Sequence, residues 1–135
     1  MGGEMSRLKE ILDRRESRRS QLAAHLELIV AQLAELGAVT VILFGSLADG
    51  SVDVDSDLDL LAVMPDDLTG KEWMNRIYGA VDRGVACDIL AYNKEEFRES
   101  LASNTFVANV VEKGKVVYEK TDERRMSEVA HPGPG

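Results

Sequence analysis

Three short stretches hold residues whose types and spacing have chemical consequences. In Ser56-Asp57-Leu58-Asp59-Leu60-Leu61-Ala62-Val63, two carboxylates open an apolar run. Alternate residues of an extended strand face one side, so Asp57 and Asp59 are expected to project together while Leu58 and Leu60 turn toward a core. Two carboxylates at the mouth of a buried strand repel each other and lose hydration unless a cation neutralises them, and hard oxygen donors favour Mg2+ or Mn2+. A third carboxylate, Asp88, lies in Val85-Ala86-Cys87-Asp88-Ile89-Leu90, between residues that belong in a sheet interior, where a lone Asp is costly. If the two strands are neighbours, Asp88 completes a triad able to hold two metal ions about 4 Å apart, the arrangement that serves in-line phosphoryl and nucleotidyl transfer. Gly45-Ser46, at the end of the run Val39 to Phe44, supplies the other half. The glycine permits close backbone approach, and Ser46 at the start of a helical turn offers its hydroxyl and nearby amides to a phosphate.

Each part alone has an ordinary explanation. Gly45-Ser46 and Asp49-Gly50 suit simple turns, and Asp88 suits an edge strand with a basic partner. The run Asp53-x-Asp55-x-Asp57-x-Asp59 is not an EF-hand calcium loop, because counting from Asp53 puts Leu58 where glycine belongs and Met64 where glutamate belongs. Nor is it the Asp-x-Asp of haloacid-dehalogenase phosphatases, whose apolar strand precedes the pair, whereas here it follows. Asp53 and Asp55 read as solvated loop residues. His25 and His131 have no neighbours that suggest a base or ligand. Trp73 and Tyr78 fit a helix core better than a base-stacking role, and Tyr92 fits either.

The elements that must position these residues are legible in the hydrophobic pattern. Leu8, Ile11, Leu12, Leu22, Leu26, Ile29, Leu33 and Leu36 recur every three or four residues, an amphipathic helix that Gly37 stops. The segment Arg14 to Arg19 interrupts that stripe with no apolar member, and is expected to break the helix or leave the body of the domain without core contacts. Val39–Phe44, Leu58–Val63 and Val85–Tyr92 read as buried strands. Lys71–Val81, Lys94–Leu101 and Thr105–Glu112 read as helices, with Val116–Tyr118 as a short final strand. The division expected is an N-terminal amphipathic helix over 1–37, a domain over 38–120 and a flexible tail over 121–135, an α/β (α+β) architecture with a small mixed sheet of three to four strands packed with helices.

The chain has 135 residues, 44% of them hydrophobic, enough for one core. A net charge of −8 argues against a surface built to grip a nucleic acid backbone, which needs clustered Lys and Arg. A bound divalent cation would let an acidic cluster take an anionic ligand all the same. There is no run long and apolar enough for a membrane span and no signal peptide, and the single Cys87 sits in an apolar run, so the expectation is a cytoplasmic protein.

Gly45-Ser46, then Asp57-x-Asp59, then Asp88 on a later strand resembles the polymerase-beta-like nucleotidyltransferase superfamily, most closely its minimal members. The resemblance spans roughly Val39 to Tyr118. It implies the nucleotidyltransferase fold, with ATP as substrate and Mg2+ (or Mn2+) held by Asp57, Asp59 and Asp88. Asp57 and Asp59 would bind both metals, Asp88 would act at the catalytic metal to help activate an attacking hydroxyl, and Gly45 and Ser46 would hold the triphosphate. It also implies a separately encoded helical partner of the HEPN type in a toxin–antitoxin pair, with AMP passed to a hydroxyl on that partner. This chain departs from the pattern at Leu47 and Asp49, where minimal members commonly carry arginine. The alternative reading is therefore a module that neutralises its helical partner by contact, with a weakened triphosphate site. Transfer to a small molecule such as an aminoglycoside is disfavoured by the absence of a second domain after the Asp88 strand. The N-terminal helix offers a surface for pairing with its own domain or with a second copy.

Overall fold

The structure, a computed structural model, describes residues 3–45, 48, 57–81 and 87–121. The chain opens with α1 (Gly3–Glu35), 33 residues of unbroken helix and so about 50 Å long. Its end is set by Gly37 at φ +106°. The Gly37 N–H donates to Ala34 O and the Ala38 N–H to Leu33 O, both at 3.0 Å, which satisfies the last carbonyls through a left-handed residue. Strand β1 (Thr40–Phe44) follows, then β2 (Leu58–Met64), α2 (Gly70–Ala80), β3 (Cys87–Asn93), α3 (Lys94–Ser103), α4 (Thr105–Lys113) and β4 (Lys115–Glu119). The fold is mixed α+β, with a four-stranded sheet in the order β3-β2-β1-β4. Strand β1 runs antiparallel to β2 and β4, while β2 and β3 are parallel, joined through α2.

Each face of the sheet has its own core. Leu58, Leu60, Ala62 and Met64 of β2 meet Leu22, Ile29 and Leu33 of α1 and Trp73 and Ile77 of α2 on one side. Leu61 and Val63 meet Ile42, Val107 and Val110 on the other, with Phe44, Tyr92 and Phe97 at its margin. Covered on both faces, β2 is apolar from Leu60 to its end, as a central strand must be. Helices α2 and α3 begin at capping boxes in which Thr69 pairs with Glu72 and Asn93 with Glu96. Glu96 also accepts from the Gly70 N–H at 2.8 Å, and the Asn93 side chain donates to Leu68 O at 3.1 Å. The loop between β2 and α2 is thereby tied to the start of α3.

The expectation that Arg14 to Arg19 breaks the N-terminal helix is not met. Residues 6–17 are uniformly exposed, so this half of α1 does leave the body of the domain, yet it stays helical. None of Arg14, Arg15, Glu16, Ser17, Arg18 and Arg19 is a helix breaker, since arginine and glutamate rank high in helix propensity. Arg18 is only partly exposed, its guanidinium 3.7 Å from the Asp57 carboxylate. No helix among the described residues is long and apolar enough to cross a membrane.

Candidate active site

Carboxylates gather at one end of the sheet, where β1 finishes and β2 and β3 begin. Asp59 is the second residue of β2 and Asp88 the second of β3, and the parallel register sets them side by side, Asp59 against Asp88 as Leu58 is against Cys87. Side chains opposite each other in this way share a face with their Cβ atoms about 5 Å apart. Asp59 lies on the same side of β2 as Leu61 and Val63, so it is the terminal member of an otherwise apolar row. Asp57, just before the strand, is exposed.

Gly45 follows directly on β1, and Phe44 pairs with Asp59 across the sheet. Its φ is +78°, a conformation glycine adopts freely and other residues at a cost. A Cβ placed there would overlap Asp59 Oδ2 and stand 3.2 Å from Asp59 Cγ. Two independent constraints, backbone angle and space, therefore call for glycine beside this carboxylate. Phe44 is anchored from below by an edge-on contact with Phe106, ring centroids 5.7 Å apart, which fixes the end of β1.

The half-buried Asp59 carboxyl is held above its ordinary pKa, first by burial, then by the charge of Asp88, then by that of Asp57. Asp88 and Asp57 thus both act on Asp59 through space. The three acids are not drawn into a closed cage: among the described residues no three His, Cys, Asp or Glu side chains meet as a metal-ligand cluster. The donor set is nonetheless all hard oxygen, and the charge it concentrates is of the sign a divalent cation relieves.

The model of the nucleotidyltransferase domain matches residues 25–118. The chain belongs to the nucleotidyltransferase-domain family. The match begins within α1 and runs into β4, so it takes in the sheet and all three candidate carboxylates. A crystal structure from Sulfolobus solfataricus, of a protein whose assignment as a nucleotidyltransferase is itself provisional, has the same fold. It superposes with a TM-score of 0.59 at 16% identity, over 79% of this chain and 88% of that one. None of the curated proteins matches.

Within this nucleotidyltransferase domain, the residues singled out from sequence fare as follows. Asp59 and Asp88 are adjacent, Asp57 is within electrostatic reach, and Gly45 abuts Asp59. Ser46, Leu47, Asp49, Asp53, Asp55 and His131 lie outside the described residues. Cys87 is buried beside Asp88. Trp73 is core, with its Nε1 donating to Pro65 O at 2.8 Å. Tyr78, expected to be core, is 40% exposed. Its hydroxyl takes the Ile89 N–H at 3.2 Å and donates to Ile89 O at 3.4 Å, so it bonds the edge of β3 one residue from Asp88.

One residue near the site was missed. Arg18 Nη2 lies 3.7 Å from Asp57 Oδ1, its side chain 19% exposed against 51% for Asp57. Arg18 stands four residues before Leu22 and so continues the buried stripe of α1. A charged residue at a core-period position was the available signal, hidden because its neighbours Arg14, Arg15 and Arg19 made it look like part of a solvated face.

Proposed function

We propose that this nucleotidyltransferase domain moves a nucleoside monophosphate, AMP from ATP, onto a hydroxyl group with the aid of two divalent metal ions, Mg2+ or Mn2+. The observation that carries the reading is the in-register pairing of Asp59 with Asp88 at the end of the sheet where β2 and β3 begin, with Asp57 alongside. Asp57, Asp59 and Asp88 would hold these ions, whose chemistry when bound would be to lower the charge on the triphosphate and make its α-phosphorus more electrophilic.

The chain's own residues have separate tasks. Asp57 and Asp59 would hold the cations. Gly45 makes room for the Asp59 carboxylate, which any side chain would displace, and Ser46 would offer a hydroxyl and amide to a phosphate. Asp88, exposed on the edge strand β3, accepts the proton of the attacking hydroxyl at a carboxylate oxygen. The acceptor oxygen bonds to the α-phosphorus, the bond from that phosphorus to the bridging oxygen breaks, and pyrophosphate leaves.

The acceptor in this reading is a hydroxyl on a helical HEPN-type toxin partner, as the resemblance to minimal nucleotidyltransferases implies. The exposed arm of α1 supports a protein acceptor. Leu8, Ile11 and Leu12 are 57%, 40% and 52% exposed on one side of a helix that extends clear of the domain, an apolar stripe suited to a second helix. The test is incubation with Mg2+, ATP labelled on the α-phosphate and the candidate partner, repeated with Asp59→Ala. Label on the partner that disappears in the variant supports transfer. A partner neutralised without label identifies a contact-only module instead.

A further inference from the structure

Asp88 stands on a strand that has a neighbour on one side only. Strand β3 lies at the edge of the sheet beside β2, so one row of its backbone groups has no further strand to bond. At Ile89 that row is met by Tyr78 of α2, whose hydroxyl accepts the Ile89 N–H at 3.2 Å and donates to Ile89 O at 3.4 Å. The Ile89 N–H belongs to the planar peptide unit that also contains the carbonyl and Cα of Asp88. Holding that plane holds the backbone torsion on the C-terminal side of Asp88, and with it the direction in which the Asp88 side chain leaves the strand. Such a hold matters here because Asp88 is only the second residue of β3, and the ends of elements are where local opening is easiest.

The hydroxyl is presented by a firmly seated helix. Trp73 and Ile77 of α2 are buried in the core, Trp73 Nε1 donates to Pro65 O at 2.8 Å, and the capping box of Thr69 with Glu72 fixes the start of the helix. Tyr78 follows Ile77 directly and is 40% exposed, so its ring lies outside the core and carries the hydroxyl to the sheet edge. We infer that Tyr78 is a positioning residue for nucleotidyl transfer: it clamps the Asp88–Ile89 peptide from the outer edge of β3 while β2 sets the register from within, and the two together keep Asp88 opposite Asp59. This rests on the reading of Asp88 as metal ligand and proton acceptor given above and deepens it.

The experiment uses the full-length protein as wild type, Tyr78→Phe, Asp88→Asn and the double variant. Backbone amide exchange is followed by NMR without ligand and Mn2+ affinity by electron paramagnetic resonance. Transfer from ATP labelled on the α-phosphate to the candidate partner is measured as kcat and KM. Loss of a hydrogen bond of ordinary net strength shifts a local equilibrium about fivefold. Tyr78→Phe is therefore expected to quicken exchange at Ile89 about fivefold, to weaken Mn2+ binding by about the same factor and to lower kcat alike. KM for Mg2+–ATP should stay unchanged, because Gly45 and Ser46, assigned to the triphosphate, follow β1. The deciding comparison is Mn2+ affinity in the Asp88→Asn background, which needs no residual activity: with the carboxylate gone, Tyr78→Phe should weaken binding no further. An equal loss in both backgrounds means that Tyr78 supports the fold at large. That result, or a Tyr78→Phe variant with wild-type Mn2+ affinity and kcat, overturns the positioning role and leaves the site reading standing. If Asp88→Asn keeps wild-type Mn2+ affinity and transfer, or the wild type shows neither, the site reading fails and this inference fails with it.

Discussion

Replacing Asp59 by Asn keeps the shape of the side chain and removes a charge the fold holds at a disadvantage. The Asp59 carboxyl is displaced upward from its ordinary value of 3.8 by burial, by Asp88 and by Asp57. A carboxyl whose pKa is higher folded than unfolded binds protons more readily in the native state, so its charged form opposes folding. That penalty is fully present above the folded-state pKa, shrinks as pH falls through it, and vanishes below about 3.8 where the group is protonated in both states.

The size follows from the register: with the Asp59 and Asp88 Cβ atoms about 5 Å apart, two unit charges in a water-like medium repel by roughly 0.8 kcal/mol. Because Asp88 is exposed, screening trims this, and partial burial of Asp59 adds to it. A net gain of about 0.5–1 kcal/mol is expected for Asp59→Asn at neutral pH, a rise of roughly 2–5 °C in Tm for a chain of this size. Thermal melts followed by circular dichroism at pH 7 and near pH 3.5 provide the assay. The gap between variant and wild type should be open at the first and close at the second. Conversely, Mg2+ with nucleotide should raise the wild-type Tm and leave the variant's unchanged, because a ligand stabilises only the state that binds it. A variant that melts at or below wild type at pH 7, or a gap of equal size at both pH values, refutes the electrostatic reasoning.

Gly45→Ala should cost roughly 1–2 kcal/mol of stability in urea titrations, from the positive φ alone, and should abolish nucleotide binding because the new methyl group overlaps the Asp59 carboxylate. Leu33→Ala, at a fully buried position of α1, should cost about 2–4 kcal/mol. Leu8→Ala, on the exposed arm of the same helix, should stay within about 0.5 kcal/mol, so that pair of variants measures where α1 joins the domain. Tyr78→Phe removes two hydrogen bonds to Ile89 at the edge of β3 and should cost about 1 kcal/mol. Backbone amide exchange should quicken at Ile89, beside Asp88, with little change in β1.

Local chemistry made the element types readable in advance. A β-branched apolar run has few alternatives to a strand, and Gly37 ended its helix where it was expected to, through a left-handed turn. Asp57-x-Asp59 and Gly45 were visible for the same reason: carboxylates in an apolar strand and a glycine at its end are anomalies of composition that a linear reading detects. What the sequence left undetermined was everything that depends on which elements lie side by side. The three strands before α3 are compatible with several orders, and the observed pairing β3-β2-β1-β4 brings Asp88 against Asp59, 29 positions away in the chain, where its charge adds to burial in raising the Asp59 pKa.

Arg18 shows the same division from the other side. Its neighbours along the chain mark it as one of four arginines on a solvated face, and helix propensity cannot distinguish it from them. The direction α1 takes across the sheet does, since burial of Leu22, Ile29 and Leu33 sets the rotation of the helix and so aims this one guanidinium at Asp57. Side-chain type and local pattern were determined by the sequence read in order. Which charges meet was decided by tertiary packing, because electrostatic energy depends on separation in space and is blind to separation along the chain.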